Sequence, residues 1–319
     1  MFTHRLTERI KEMENPVVAG LDPRLEYLPE SIIHEAVGLH GKTFKAAGYA
    51  IRKFNEQVID VLCDMVPAIK PQFAYYELYG LEGLSALYDT VAYAKGKGLL
   101  VIGDGKRNDI GSTAKAYSDA WLGKTNLFGT DVFGLDLDAL TVNPYLGIDG
   151  IRPFIDTCVQ YGKGIFVLVK TSNESSGEIQ DLKVGEQTVY ERVASLVAQW
   201  SEGLIDEYGY SPVGAVVGAT YPEQAKKTRQ LMPNSYILVP GYGAQGGTAK
   251  DCIPSFHKDG TGAVINASRS LVFAYKTKRW SSIYNGENYL EIIREEAVRM
   301  KKEIKEAFSE KIEEGELHE

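Results

Sequence analysis

The sequence is poor in the residues that build disulfide frameworks and metal centres. Its three cysteines, Cys63, Cys158 and Cys252, are far apart and never form a C-x-x-C pair. That excludes a disulfide scaffold or a zinc knuckle and leaves them as small buried hydrophobes. The histidines, His4, His34, His40, His257 and His318, show no pair at ligand spacing. Positive charge is in deficit, with 35 Lys and Arg against 43 Asp and Glu and a net charge of -8. This balance argues against a nucleic-acid surface but leaves room for a local basic pocket that takes a small anion. No apolar run reaches membrane-spanning length. The first residues alternate charge and apolarity at helical spacing and lack the continuous apolar stretch of a signal peptide, so a cytoplasmic protein with no membrane or nucleic-acid partner is expected. Linkers, low-complexity tracts and a second domain are also missing, and 319 residues suit one large α/β domain spanning 1–319.

What is present is organised around Leu99-Leu-Val-Ile-Gly-Asp-Gly-Lys-Arg-Asn-Asp-Ile-Gly-Ser-Thr113. The apolar run between Gly98 and Gly103 reads as a buried strand, and Ser112 or Thr113 as the cap of a following helix. Side chains alternate along a strand, so Leu100, Ile102, Asp104 and Lys106 share one parity. If the strand stays extended to its end, Asp104 and Lys106 project side by side into one site. Asp109 lies beyond the turn, where a carboxylate also favours the start of a helix. A mixed-charge surface loop is the plain alternative, and the position between a strand and a helix speaks against it.

Strands with polar carboxyl ends recur along the chain. A short amphipathic helix over 3–14 precedes a strand over Pro16–Pro23 that reaches Asp22, held in a turn by the following proline. A polar insertion from Arg24 to about Gly41, with a helix start at Pro29-Glu-Ser31, leads to a helix over 42–64. The second strand, 66–71, ends on Lys70, and a helix over 81–98 precedes the central stretch. Further strands follow at 139–144, 164–170, 213–218, 236–240 and 262–266, with helices near 150–161, 187–208 and 221–232 between them. Eight apolar strands alternating with helices predict a closed (β/α)8 barrel, with its core over about 17–271. Over about 288–312, Ile293, Ala297, Met300, Ile304 and Phe308 make the apolar stripe of a terminal helix, with Glu295 and Arg299 as a supporting pair. Residues past Gly315 are expected to fray.

In such a barrel the site lies at the carboxyl ends of the strands, and the loops after the seventh and eighth are the usual phosphate site. Here these are Gly241-Tyr-Gly-Ala-Gln-Gly-Gly247 and Asn266-Ala-Ser-Arg-Ser270. Glycines let backbone N–H groups approach phosphate oxygens, Gln245 adds an amide donor and Arg269 a planar cation. The literal G-x-G-x-x-G from Gly241 follows the seventh strand rather than opening a doubly wound unit, which weakens a dinucleotide reading. Tyr75-Tyr76 reads as core or interface packing rather than a base-stacking platform.

Assembled, these residues resemble the orotidine 5'-monophosphate decarboxylase family, in its longer bacterial (type 2) branch. The resemblance rests on Asp104-Gly-Lys-Arg-Asn-Asp109, which matches the family's Asp-x-Lys-x-x-Asp signature. Gly20-Leu-Asp-Pro23, Lys70, Lys170-Thr-Ser-Asn173, Pro240-Gly-Tyr-Gly-Ala-Gln245 and Asn266-Ala-Ser-Arg269 follow in order. It implies cofactor-independent and metal-free decarboxylation of orotidine 5'-monophosphate to uridine 5'-monophosphate, the last step of de novo UMP synthesis. It also implies a homodimer with shared sites. Lys70, Asp104 and Lys106 would form the charged network, completed by Asp109 of the neighbouring subunit. Asp22 would hold ribose hydroxyls with the neighbour's Thr113 close by, Gln245 and Arg269 the 5'-phosphate, and Ser172 the pyrimidine, with Thr171 and Asn173 open by one residue of register. Two other readings stand beside this one. A magnesium-dependent keto-sugar-phosphate decarboxylase or aldolase of the same barrel group shares the signature but carries a carboxylate where this chain has Lys70, and a non-catalytic nucleotide-phosphate-binding protein would need no interleaved lysines.

Overall fold

The computed structural model describes residues 1–313, in which eight parallel strands close into a barrel. The strands are β1 (Val17–Leu21), β2 (Ala68–Pro71), β3 (Leu100–Arg107), β4 (Ala139–Val142), β5 (Gly164–Lys170), β6 (Ser211–Val217), β7 (Ser235–Val239) and β8 (Ala263–Ala267). The ring closes where β1 pairs with both β2 and β8, setting Gly20 opposite Lys70 and Val18 opposite Asn266. Covered on both faces, these strands carry near-continuous Val, Ile, Leu and Ala runs. The parity expected for β3 holds where the strand is regular. Leu100 and Ile102 join Val18, Ala68, Phe166, Leu238 and Val264 inside the barrel, whereas Val101 packs outward among the helices.

The helix Phe2–Met13 seals the floor, at the amino ends of the strands. Its buried stripe, Phe2, Leu6 and Ile10, completes the inner cluster, and the Phe2 ring meets Phe166 edge-on at 6.0 Å between centroids. Arg5 pairs with Asp138 just before β4 at 2.7 Å, and the hydroxyls of Thr7 and Tyr236 lie 2.7 Å apart. Near the same end, the buried guanidinium of Arg229 donates to the backbone carbonyls of Met232, Ser235, Ser255 and Gly262. Burial brings its pKa down to about 10.

The insertion after β1 forms a 3-10 turn, Leu25–Tyr27, and a helix, Glu30–His40, that starts after Pro29 as expected. Thr43 then caps the helix Phe44–Leu62, its hydroxyl accepting from the Ala46 N–H. The terminal helix, Tyr289–Glu313, buries Ile293, Ala297, Met300 and Ile304, with Phe308 half-buried against Phe256. Residues past Gly315 lie outside the described residues.

Three local expectations are corrected. The helix after β3 runs Gly111–Trp121 with Ile110 at the N-cap, so Ser112 and Thr113 sit inside its first turn and cap nothing. The helix expected over 187–208 spans only Val189–Trp200, because Thr188 and Glu191 form a capping box at its start and Ser201 and Gly203, with φ +75°, follow its end. Arg299 pairs with Glu296 and Glu303, not Glu295, since those two carboxylates flank it on the buried side of the helix. A hairpin of Lys124–Leu127 and Thr130–Phe133 stands between Trp121 and β4, and a two-residue pair, Lys183–Val184 with Gln187–Thr188, precedes Val189. Neither was anticipated, because strands this short leave little hydrophobic periodicity to read.

Leu6→Ala is expected to cost about 2–5 kcal/mol by opening a cavity in the sealed floor. The check is the urea midpoint; kcat of the folded protein should not change, because the strand carboxyl ends lie at the opposite mouth.

Candidate active site

At the carboxyl end of the barrel the inward positions change from apolar to charged. Asp22 just past β1, Lys70 in β2 and Asp104 and Lys106 in β3 line one cavity of about 680 Å³. Asp104 is its hub. Oδ2 accepts from Lys70 Nζ at 2.7 Å and from Gln72 Nε2 at 2.9 Å, while Oδ1 accepts from Lys106 Nζ at 2.6 Å and from Thr141 Oγ1 at 3.0 Å. Burial disfavours a charge on Asp104, but the two ammonium groups outweigh it and hold the carboxyl well below the usual carboxylate range. Burial works against the Lys70 ammonium too, and Asp104 with Asp22 more than offsets it, so its pKa rises. Asp22 shifts the other way. There burial prevails over Lys70 and a hydrogen bond with Ser268, and its pKa is raised.

The backbone at Lys106 departs from the extended strand expected. Its φ is +47°, a left-handed conformation uncommon for a residue with a side chain, and the pairing of β3 with β4 shifts register between Gly103 and Arg107. The Lys106 N–H donates to Thr141 Oγ1 at 2.9 Å, which fixes the turn. Asp104 and Lys106 therefore meet as the sequence implied, but across a backbone turn rather than along a pleat.

The rim of the cavity is made by the loops after β5, β7 and β8. Gln245 and Arg269 line it and are exposed. Gly241, at φ +101°, begins a loop closed on itself by the Gly247 N–H to Gly241 carbonyl bond at 3.1 Å. Beneath it a Cβ on Gly20 would stand 2.0 Å from Ser268 Oγ, so only glycine lets β1 pass there. Asp22 Oδ1 and Asn266 Oδ1 are buried without a hydrogen-bond partner on residues that line the cavity, an acceptor pair suited to hydroxyl donors. Thr171, Ser172 and Asn173 all line the wall, so the cavity does not choose among them. Lys170, one residue earlier, turns away to Asp181 at 2.8 Å and Ser176 at 3.2 Å, anchoring that loop from behind.

Two predicted residues stand apart from this group. Asp109 accepts the Ile110 N–H at 2.8 Å in the turn after β3, and Thr113 is exposed on the following helix; neither lines the cavity of its own chain. Sequence reasoning missed Gln72, Thr141 and Gln180, which donate to Asp104, to Asp104 and to Thr171 Oγ1 respectively. Parity held the signal for the first two, since Gln72 is two past Lys70 and Thr141 two past inward Ala139. Gln180 lies in a loop whose fold no local pattern specifies. Of the tyrosine pair, Tyr76 is core, hydrogen-bonded by Asn55 at 2.9 Å, and Tyr75 lines the cavity.

Residues 16–280 match the model of the Orotidine 5'-phosphate decarboxylase / HUMPS family. The chain belongs to this family. Among relatives, an orotidine 5'-phosphate decarboxylase of Rhodopirellula baltica is 44% identical over 304 residues, covering 95% of this chain and 99% of that one. One from Caldicellulosiruptor saccharolyticus is 42% identical, covering 86% and 90%. The solved structure of Leishmania donovani OMP decarboxylase superposes with a TM-score of 0.72 at 29% identity, over 97% of this chain and 99% of that one. The barrel is thus that of the family.

Removing the hub carboxylate strands the buried Lys70 ammonium. Asp104→Asn is expected to lower stability at pH 7 by roughly 3–5 kcal/mol, as breaking one partner of a buried pair does. Because the Asp104 pKa is depressed on folding, its contribution is present above the unfolded value near 4 and fades as pH falls below that. The difference between wild type and variant in urea midpoint should therefore shrink in acid; a constant difference would count against the assigned charge state.

Proposed function

We propose that this protein converts orotidine 5'-monophosphate to uridine 5'-monophosphate and CO2 as a homodimeric cytoplasmic enzyme, in one catalytic unit. The observation that carries the reading is the alternation Lys70, Asp104, Lys106 on a single buried carboxylate, set below two loops bearing Gln245 and Arg269. The named relatives support the same substrate.

The chemistry explains why such an array is needed. Breaking the bond from C6 to the carboxylate leaves its electron pair in the ring plane, where no π system spreads it. Lys106, hydrogen-bonded to Asp104 and left partly open to the cavity, stabilises that pair and then delivers a proton to C6. Asp104 faces the departing carboxylate, and Lys70 keeps Asp104 ionised. Asp22 with the unpartnered Asn266 oxygen takes the ribose hydroxyls, Ser172 the pyrimidine edge, and Gln245 with Arg269 the 5'-phosphate. Binding energy from the phosphate end is then available to hold the reacting end in place.

What the single chain leaves outside its own cavity supports the dimer. Asp109 and Thr113 fit the role of residues lent to the neighbour's site, and around them Ile110, Tyr145, Leu146 and Ile148 form exposed apolar surface, with Tyr145 84% exposed. The magnesium-dependent alternative fits less well. Both oxygens of Asp104 already face ammonium groups, which would repel a divalent cation.

Purified protein treated with EDTA should form uridylate from orotidine 5'-monophosphate alone; activity only on a keto-sugar phosphate with magnesium would move the assignment. Lys106→Ala should reduce kcat by about 10³-fold or more while uridylate still binds. Mixing inactive Asp109→Ala and Lys106→Ala subunits should restore activity, and confirmed mixed dimers without turnover would argue against shared sites.

A further inference from the structure

The terminal helix Tyr289–Glu313 lies beyond the eight-stranded barrel, yet one of its side chains reaches the loop that carries Gln245. Tyr242, three residues before Gln245, has its backbone between Gly241 at φ +101° and Gly243 at φ +73°. The ring packs into the core around the barrel, where only 5% of the residue is exposed, while the residue still contributes to the cavity wall. Its hydroxyl there donates to Glu303 Oε2 at 2.7 Å. Burial, with the Glu303 carboxylate beside it, pushes the phenol pKa well up, so the tyrosine remains a donor.

Glu303 is itself held. Arg299 donates to Glu303 Oε2 at 2.6 Å and to both oxygens of Glu296, which also accepts from Trp280 Nε1 at 2.7 Å. The acceptor for Tyr242 is therefore a fixed ion-pair network rather than a mobile surface carboxylate. Two further contacts join the same helix to the chain just past the loop, Lys250 with Glu310 and Phe256 edge-on to Phe308 at 4.9 Å. Within the loop, the Ala244 N–H donates to the Tyr242 carbonyl at 3.0 Å, and the Gly243 N–H to the Gly247 carbonyl at 2.8 Å. A shift of Tyr242 thus moves the whole turn, Gln245 included.

We propose that the terminal helix sets the position of the loop over 241–247 through the Tyr242–Glu303 hydrogen bond, making Tyr242 and Glu303 positioning residues for the substrate's 5'-phosphate. The inference rests on the reading that Gln245 and Arg269 take the phosphate. It gives the helix a task in recognition, since the glycines that free the loop to wrap an anion also leave it without rigidity of its own.

The test uses the full-length protein with Tyr242→Phe, Glu303→Gln and the double variant. For each, kcat and KM for orotidine 5'-monophosphate are measured, with inhibition constants for uridine 5'-monophosphate and for uridine. Each single variant should raise KM and the uridylate inhibition constant by about 5- to 10-fold, within the range expected for the net contribution of one hydrogen bond. Uridine inhibition should be unchanged, kcat should stay within about 2-fold, and the double variant should be no worse than either single one, because both remove the same bond. Tyr242→Phe keeps the buried ring, so it decides the matter even if Glu303→Gln folds poorly. Unchanged uridylate affinity, or equal weakening of uridylate and uridine, overturns the proposal. Gln245→Ala and Arg269→Ala run in parallel separate the two layers. If they lose uridylate selectivity while Tyr242→Phe does not, the latch alone is wrong; if none of the three does, the phosphate assignment falls and the latch with it.

Discussion

Everything at the mouth of this barrel depends on one carboxylate being charged where burial alone would neutralise it. Asp104 keeps its charge because two lysines from different directions donate to its two oxygens, and Lys70 remains an ammonium inside the protein because Asp104 and Asp22 surround it. Asp104 and Lys70 thus hold each other's charge against burial, and removing either leaves the other uncompensated. Its geometry is correspondingly constrained. Gln72 and Thr141 take up the remaining lone pairs of Asp104, and Thr141 also fixes the backbone turn from which Lys106 reaches in. The left-handed backbone at Lys106 is the local strain in this arrangement, sitting on the residue that faces the reacting carbon in the proposed mechanism.

The barrel supplies what such an array requires, namely a rigid ring of strand ends and a dry floor. Lys70 and Asp104 stand on adjacent strands, and their separation is set by backbone pairing, with Ile69 opposite Val101 and a bridge between Gln72 and Asp104. The loops above are of a different kind. They are exposed, glycine-rich only after β7, and tied down from outside: Lys170 to Asp181 behind the loop after β5, and Tyr242 to Glu303 behind the loop after β7. Charge chemistry is thus carried by strands and ligand contact by loops, a division of labour common to this architecture.

Much of this was legible in the sequence because its signals were periodic. Eight apolar runs predicted eight strands, and the parity of Leu100, Ile102 and Asp104 placed the hub carboxylate inward. The apolar stripe of the terminal helix was equally plain. What escaped was local or relational. Ile110 rather than Ser112 occupies the N-cap because the turned backbone at Lys106 and Gly111, with φ +52°, sets where the helix begins, and no propensity encodes that. The helix after Thr188 stops early for the sake of a glycine at 203 that periodicity overran. Arg299 chose Glu296 and Glu303 because burial on the tertiary structure, not spacing alone, decides between neighbouring carboxylates. Gln180 bonds Thr171 across a turn and Tyr242 bonds Glu303 far along the chain, and a pattern of residue types says nothing of such pairings.

The helix that closes the floor has a consequence for how the molecule is made. The surfaces that Phe2 and Leu6 cover lie far along the chain, from Phe166 to Tyr236 and Val264. Until β8 docks beside β1, that apolar stripe has nowhere to go, and ring closure and floor closure are contacts between the two ends of a long chain. Contacts of such high sequence separation are slow to form and leave hydrophobic surface open meanwhile. The apolar stripe of the helix Phe2–Met13 is therefore the surface that waits longest for its partners as the barrel folds.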